Sequence, residues 1–339
     1  MTVAVRTIDV HAHVLFPKVM GKCGAAGPEM GVRDGVQFFR SGDYVLENVR
    51  FVDAPFSDLE RRLELMARLR IDHQVLSPNP LTYFYRQPSA DGLAFCRANN
   101  DEMAAACTAY PGRFSGLAQL PLQDPKLAVE ELKRAIGTLG LVGSYLGSDI
   151  AGRDLTDPAF EPLWAEHERL RVPVAVHPAP RDAELAPGET ARMRQWDLDL
   201  VVGFAADETF VAAQFIFSGI LDRHPDLQLH IPHAGGNTPW LKGRFEMAVR
   251  KRPWAKGLLK RRFEDIWRQM TFDCLIKAGP NMEMLVEAEG ADRVLLGTNF
   301  AGWDQDDGIV ASVEALQISK PDRDNILAGN ARRLFGVRA

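Results

Sequence analysis

Ile8-Asp9-Val10-His11-Ala12-His13 is the stretch on which the fold and the chemistry both turn. Side chains alternate along a strand, so His11 and His13 point the same way with Cα atoms about 6–7 Å apart. Two imidazoles at that spacing can converge on one divalent cation. Alone the pattern is weak, because any strand exit can carry two polar residues. Working outward from it, this first apolar run (7–15) is followed by seven more, at 73–77, 115–122, 141–146, 172–177, 227–233, 270–275 and 293–298. Helical periodicity and capping signals lie between them. Ser57-Asp58-Leu59-Glu60 reads as a capping box, and Asp124-Pro125 and Asp157-Pro158 each open a helix with proline in the first turn. Helices are also predicted over 91–110, 208–223, 239–250, 281–289 and 321–334.

Eight strands, each followed by a helix, predict an α/β fold, a (β/α)8 TIM barrel. An open doubly wound sheet is the competing arrangement, since alternation alone does not prove closure. Three connections exceed barrel norms: 16–56 after strand one, 178–200 after strand five and 251–269 before strand seven. The first two leave C-terminal strand ends, where barrel enzymes build their sites, and are expected to be substrate loops or lids. No linker divides the chain, so residues 1–339 are expected to form a single domain.

A barrel gathers its strand ends at one mouth, and the histidines follow that logic. Strand five ends in Val176-His177-Pro178, and strand six in His233-Ala234-Gly235-Gly236. His11, His13, His177 and His233 therefore meet, and the three-histidine set His11, His13 and His177 predicts a metal centre. His73, His167, His224 and His230 receive structural assignments, with His230 turned outward toward the helices.

Composition narrows the function classes. A net charge of −5 offers no basic surface for nucleic acid or an anionic membrane. No stretch is expected to span a bilayer, and the start of the chain lacks a signal-peptide pattern. Cys23, Cys96, Cys107 and Cys274 have no paired spacing and are expected as free thiols of a cytoplasmic protein.

Several segments together resemble the amidohydrolase-related (amidohydrolase 2) decarboxylases typified by 2-amino-3-carboxymuconate-6-semialdehyde decarboxylase. They are Ile8–His13, Ala118-Gln119-Leu120-Pro121-Leu122-Gln123-Asp124, Val176-His177-Pro178, His233-Ala234-Gly235-Gly236 with Gly243-Arg244, Arg293-Val294-Leu295-Leu296-Gly297-Thr298-Asn299, and Gly329-Asn330-Ala331. The resemblance implies Zn2+, or another divalent metal such as Mn2+, held by His11, His13, His177 and the residue ending strand eight, with His233 as acid/base. It also implies that Arg50 and Trp196 bind a small carboxylate substrate. Arg244 and Arg252 match arginines lent across a subunit interface, so a homodimer or higher oligomer is expected.

One position departs from the pattern. Strand eight of such proteins ends in an aspartate, and here it ends in Asn299. An amide oxygen can still approach a metal but brings no negative charge and cannot act as a base. Natural variation and a substitution that traps an inactive complex both remain open, and Asp304 and Asp306 are nearby carboxylates. The favoured reaction is non-oxidative decarboxylation of an unsaturated or aromatic acid. The alternatives are a hydratase resembling 4-oxalomesaconate hydratase, a hydrolase of a C–N or C–C bond, and a metal-binding protein without turnover.

Overall fold

A computed structural model describes residues 5–178, 195–277 and 279–337. Most of the expected loop over 178–200 lies outside the described residues.

The strands are β1 (Ile8–Val14), β2 (Glu29–Arg33), β3 (Val36–Ser41), β4 (Tyr44–Glu47), β5 (His73–Pro78), β6 (Phe114–Gly116), β7 (Ser144–Gly147), β8 (Val174–His177), β9 (Leu229–Ile231), β10 (Met270–Asp273) and β11 (Val294–Leu295). Parallel ladders join β1-β5-β6 and β7-β8-β9-β10-β11. A bridge between Ala118 and Ser144 joins the two sets on one side. On the other, Val10 N donates to the Leu296 carbonyl at 2.9 Å and Phe300 N to that of His11 at 2.9 Å. The sheet is closed, which rules out the open alternative. These strands are buried almost throughout, as expected when side chains fill the barrel on one face and helices cover the other.

The main helices are α1 (Leu59–Arg68), α2 (Ser89–Ala109), α3 (Pro125–Gly137), α4 (Glu161–Leu170), α5 (Phe204–Phe217), α6 (Ile220–Arg223), α7 (Thr238–Lys251), α8 (Phe263–Trp267), α9 (Pro280–Glu289), α10 (Ile309–Ala315), α11 (Lys320–Asp324) and α12 (Asn330–Phe335). Several differ from the sequence reading. The cap of α1 is Asp58, whose carboxylate accepts from the Glu60 and Arg61 amides, whereas the Ser57 hydroxyl donates to the Phe51 carbonyl. The helix expected over 208–223 divides at Gly219, whose φ of +76° turns the chain between α5 and α6. A π-helical turn, Asn325–Gly329, separates α11 from α12.

The connection after strand one is an antiparallel meander, β2-β3-β4. Asp34 and Gly35, at φ +51° and +79°, form the two-residue hairpin turn between β2 and β3. The 251–269 connection holds a short 3-10 turn and α8.

One helical run, Gln195–Phe217, is long and apolar enough to cross a bilayer by length and composition alone. Here it starts with a kink at Trp196 (φ +58°). Through Glu208, Val211, Ala212, Phe215 and Ile216 it buries one face against the barrel. Its apolarity thus serves a packed helix.

Two buried groups brace the mouth. Asp9 accepts from the His11 amide, from Gln74 Nε2 at 2.9 Å and from Thr298 Oγ1 at 2.7 Å, tying strands one, two and eight together. Arg62, fully buried, donates to Gln74 Oε1 at 2.9 Å and to the carbonyls of Pro55 and His13, and stacks on Phe300. Each of its three nitrogens has an acceptor, which makes a buried guanidinium tolerable.

Candidate metal centre

Strand alternation places His11 and His13 inside the barrel, and closure brings His177 from β8 beside them. All three are buried, and candidate ligand atoms, one from each, lie within 4.8 Å of one another. Each ring is oriented through Nδ1. His11 Nδ1–H donates to Asp273 Oδ2 at 2.8 Å, His177 Nδ1–H donates to the Pro178 carbonyl at 2.5 Å, and His13 Nδ1 pairs with the Ser77 hydroxyl at 3.1 Å.

The Nε2 atoms are thereby left to face one another. Those of His11 and His13 are 3.2 Å apart, and that of His177 is buried with no hydrogen-bond partner among the described residues. A buried, unpartnered imidazole nitrogen is costly, and a cation is the partner that satisfies three converging lone pairs. Burial, reinforced by the neighbouring imidazoles, pushes His13 and His177 well below the usual histidine range, so both stay neutral as ligands must be. The site fits zinc or manganese.

Asp273 is anchored in turn by the amides of Ala234 (3.0 Å) and Leu275 (3.1 Å) on Oδ1. Burial alone would raise its pKa, but the His11 hydrogen bond and the surrounding histidines hold it below the carboxylate range. Carboxylates that orient ligand histidines in this way raise their basicity toward metal. Periodicity offered no signal for Asp273 or Ser77 as orienting groups.

His233 sits just past β9, where four consecutive residues, His233 to Gly236, take positive φ. Glycine is required at the last two. A Cβ on Gly235 would lie 2.4 Å from the Phe272 ring, and one on Gly236 would lie 2.3 Å from the Ala205 carbonyl oxygen. The turn aims the His233 ring at the cluster, with centroids 4.8 Å from His11 and 4.9 Å from His177. His233 Nδ1–H donates to Glu208 Oε1 at 2.6 Å. Glu208, from α5, is fully buried and was not anticipated from sequence; a carboxylate inside an apolar helix was its one signal. Burial opposes charge on His233, but the Glu208 carboxylate outweighs it and pushes the imidazole up, so it carries a proton at neutral pH.

Asn299 follows β11 in the left-handed region at φ +51°, one residue before the amide that bonds His11. Its Nδ2 donates to Asp304, and its buried Oδ1 has no partner among the described residues. Arg50, Arg244 and Arg252 are exposed, as is Trp196 at 76% of its surface. The structure thus brings the four mouth histidines together and leaves these four side chains at the surface. The other histidines are structural: His73 bonds Gly112 and Ser115, His167 bonds Ser144 and Leu163, and His224 bonds Glu161 and Glu168. His230, expected to turn outward, instead faces the barrel interior: it is in register with Ala175 and Thr271, bonds Thr271 Oγ1 at 3.1 Å and packs on Phe335 of α12.

Comparison with known proteins agrees with this geometry. A sequence-family profile described as Amidohydrolase matches residues 8–337. The 2-amino-3-carboxymuconate-6-semialdehyde decarboxylase of Dictyostelium discoideum is 29% identical, over 97% of this chain and 91% of that protein. The gamma-resorcylate decarboxylase of Rhizobium sp. (strain MTP-10005) is 31% identical, over 88% of this chain and 92% of its own. Among solved structures, a dihydroxybenzoic acid decarboxylase from Polaromonas sp. JS666 with bound manganese superimposes with a TM-score of 0.76 at 23% identity, covering 99% of this chain and 98% of that one.

Proposed function

Because the chain belongs to the amidohydrolase family, we propose that it is a metal-dependent, non-oxidative decarboxylase of an aromatic or unsaturated carboxylic acid. The observation that carries the reading is the convergence of three oriented imidazoles beside the His233–Glu208 pair.

His11, His13 and His177 would hold the metal, with Asn299 completing the set. A bound divalent cation stabilises negative charge developing on substrate oxygen. Loss of carbon dioxide leaves an electron pair on carbon, and a proton must take its place. His233 is the donor: its Nδ1–H is committed to Glu208, so the proton moves from Nε2. Glu208 holds the ring in that orientation and favours its protonated form.

Substrate carboxylate binding falls to Arg50, with Trp196 against the ring and Arg244 and Arg252 supplied by a second copy of the chain. Phe210 on α5, Trp240 and Met247 on α7 and the adjoining Trp254 support a homodimer, because large apolar side chains left exposed favour association. The chain would act as one domain, in the cytoplasm, where its four free cysteines remain reduced.

The test is to load the protein with manganese or zinc and incubate it with hydroxybenzoates and with unsaturated ring-cleavage acids. Metal-dependent release of carbon dioxide is expected. Water addition without cleavage, or two organic products, would replace this reading with a hydratase or a hydrolase.

A further inference from the structure

Three tyrosines, Tyr83, Tyr85 and Tyr145, are buried around the ends of β7 and β8. Two have their hydroxyls committed. Tyr83 donates to the His177 carbonyl at 3.1 Å, and Tyr85 accepts from the Gly147 amide at 3.1 Å. Tyr145, 3% exposed, has a buried hydroxyl that completes no well-formed hydrogen bond among the described residues, although Ser77 lies beside it.

The direction of Tyr145 follows from its strand. Ser144 Oγ bonds His167 of α4 at 2.7 Å, so Ser144 faces the outer helices, and alternation turns Tyr145 into the barrel. The register agrees: Tyr145 pairs with Ala175 and Gly147 with His177, and laterally paired residues share a face. The ring centroid lies 6.0 Å from His13 and 5.6 Å from His177. His233 packs instead against His11 and His177. The histidine triangle is therefore flanked along one edge by a proton carrier and along another by the Tyr145 ring, which carries a neutral hydroxyl donor.

An unpaired hydroxyl kept at a polar, buried position costs stability unless a ligand completes it. We propose that Tyr145 is a substrate-binding residue whose hydroxyl donates to a carboxylate oxygen of the bound acid, on a different flank of the metal site from His233. This rests on the decarboxylase reading for the class of ligand. The neutral donor suits an anionic oxygen without adding charge to the site, and lacking charge it does not compete with the arginines that would draw the acid in.

The experiment compares Tyr145→Phe with the wild type, both loaded with manganese, using benzoate as the probe. Calorimetry should show benzoate bound about tenfold more weakly by the variant, the loss expected of one hydrogen bond to a charged group. Metal content should be unchanged, and the metal-free variant should melt at the same temperature or a few degrees higher, since an unsatisfied hydroxyl has been removed. Equal benzoate affinity, no benzoate binding to the wild type, or a variant that melts several degrees lower would each overturn the assignment. Carbon dioxide release by the wild type is assayed in parallel. Its absence, alongside tyrosine-dependent benzoate binding, would refute the decarboxylase reading alone. Its presence with equal benzoate affinities would refute the role of Tyr145 alone.

Discussion

His11 and Asp273, 262 positions apart in sequence, are joined by a buried 2.8 Å hydrogen bond from Nδ1–H to Oδ2. This bond selects which imidazole nitrogen is left to bind metal. Asp273→Asn preserves shape but removes the charge that makes His11 a strong donor. Manganese affinity, measured by competition with a chelator, should fall about 10–100-fold. An unchanged affinity would make Asp273 a purely architectural residue.

Removing ligands and removing the proton carrier should have different signatures. His177→Ala should lower metal content sharply from about one per chain, because its Nε2 has no other partner among the described residues. His233→Ala should keep its metal and lose about 100-fold or more in turnover. Metal analysis of the two purified proteins separates the roles, and loss of metal from both would place His233 among the ligands.

Glu208→Gln tests the partner of His233. The carboxylate raises the imidazole pKa, so its removal should lower it. The protonated donor would then disappear at lower pH, and the alkaline limb of the kcat profile should move toward neutrality. A profile that keeps its position at reduced amplitude would argue against this electrostatic role.

Asn299 donates to Asp304, so the carboxylate absent from the end of strand eight is present one turn later in the chain. Asn299→Asp would set two carboxylates against each other and should weaken both metal binding and thermal stability. Asn299→Asp combined with Asp304→Asn restores the pairing with the charge exchanged, and should recover both. Improvement in the single variant would instead favour a decarboxylase site degraded at this position.

His167 predicts the acid response of the fold. Burial pulls it down to about 4, against 6.5 for the unperturbed group. The unfolded chain therefore takes up this proton first as pH falls. Its contribution is intact above about 6.5 and is lost progressively as pH drops toward about 4. In metal-free protein, His167→Gln should lose about 2 kcal/mol less stability than the wild type between pH 7 and pH 5. Urea unfolding at the two pH values measures the difference.

Local rules determined much of this protein from its sequence. Period-two alternation put His11 and His13 on one face, and the order of apolar runs put His177 and His233 at the ends of strands five and six. Those are properties of neighbouring residues, and they survive without knowledge of the fold. The caps and breaks were less legible: Asp58 displaced Ser57 at α1, and Gly219 divided a helix whose apolar pattern read as continuous. What surrounds the histidines was decided only by closure of the barrel. Asp273 reaches His11 across 262 positions, Ser77 reaches His13 across 64, and Glu208 reaches His233 across 25. Such partners are chosen because a buried polar atom must find whichever donor or acceptor the packed chain places beside it, and no periodicity along the chain encodes that choice.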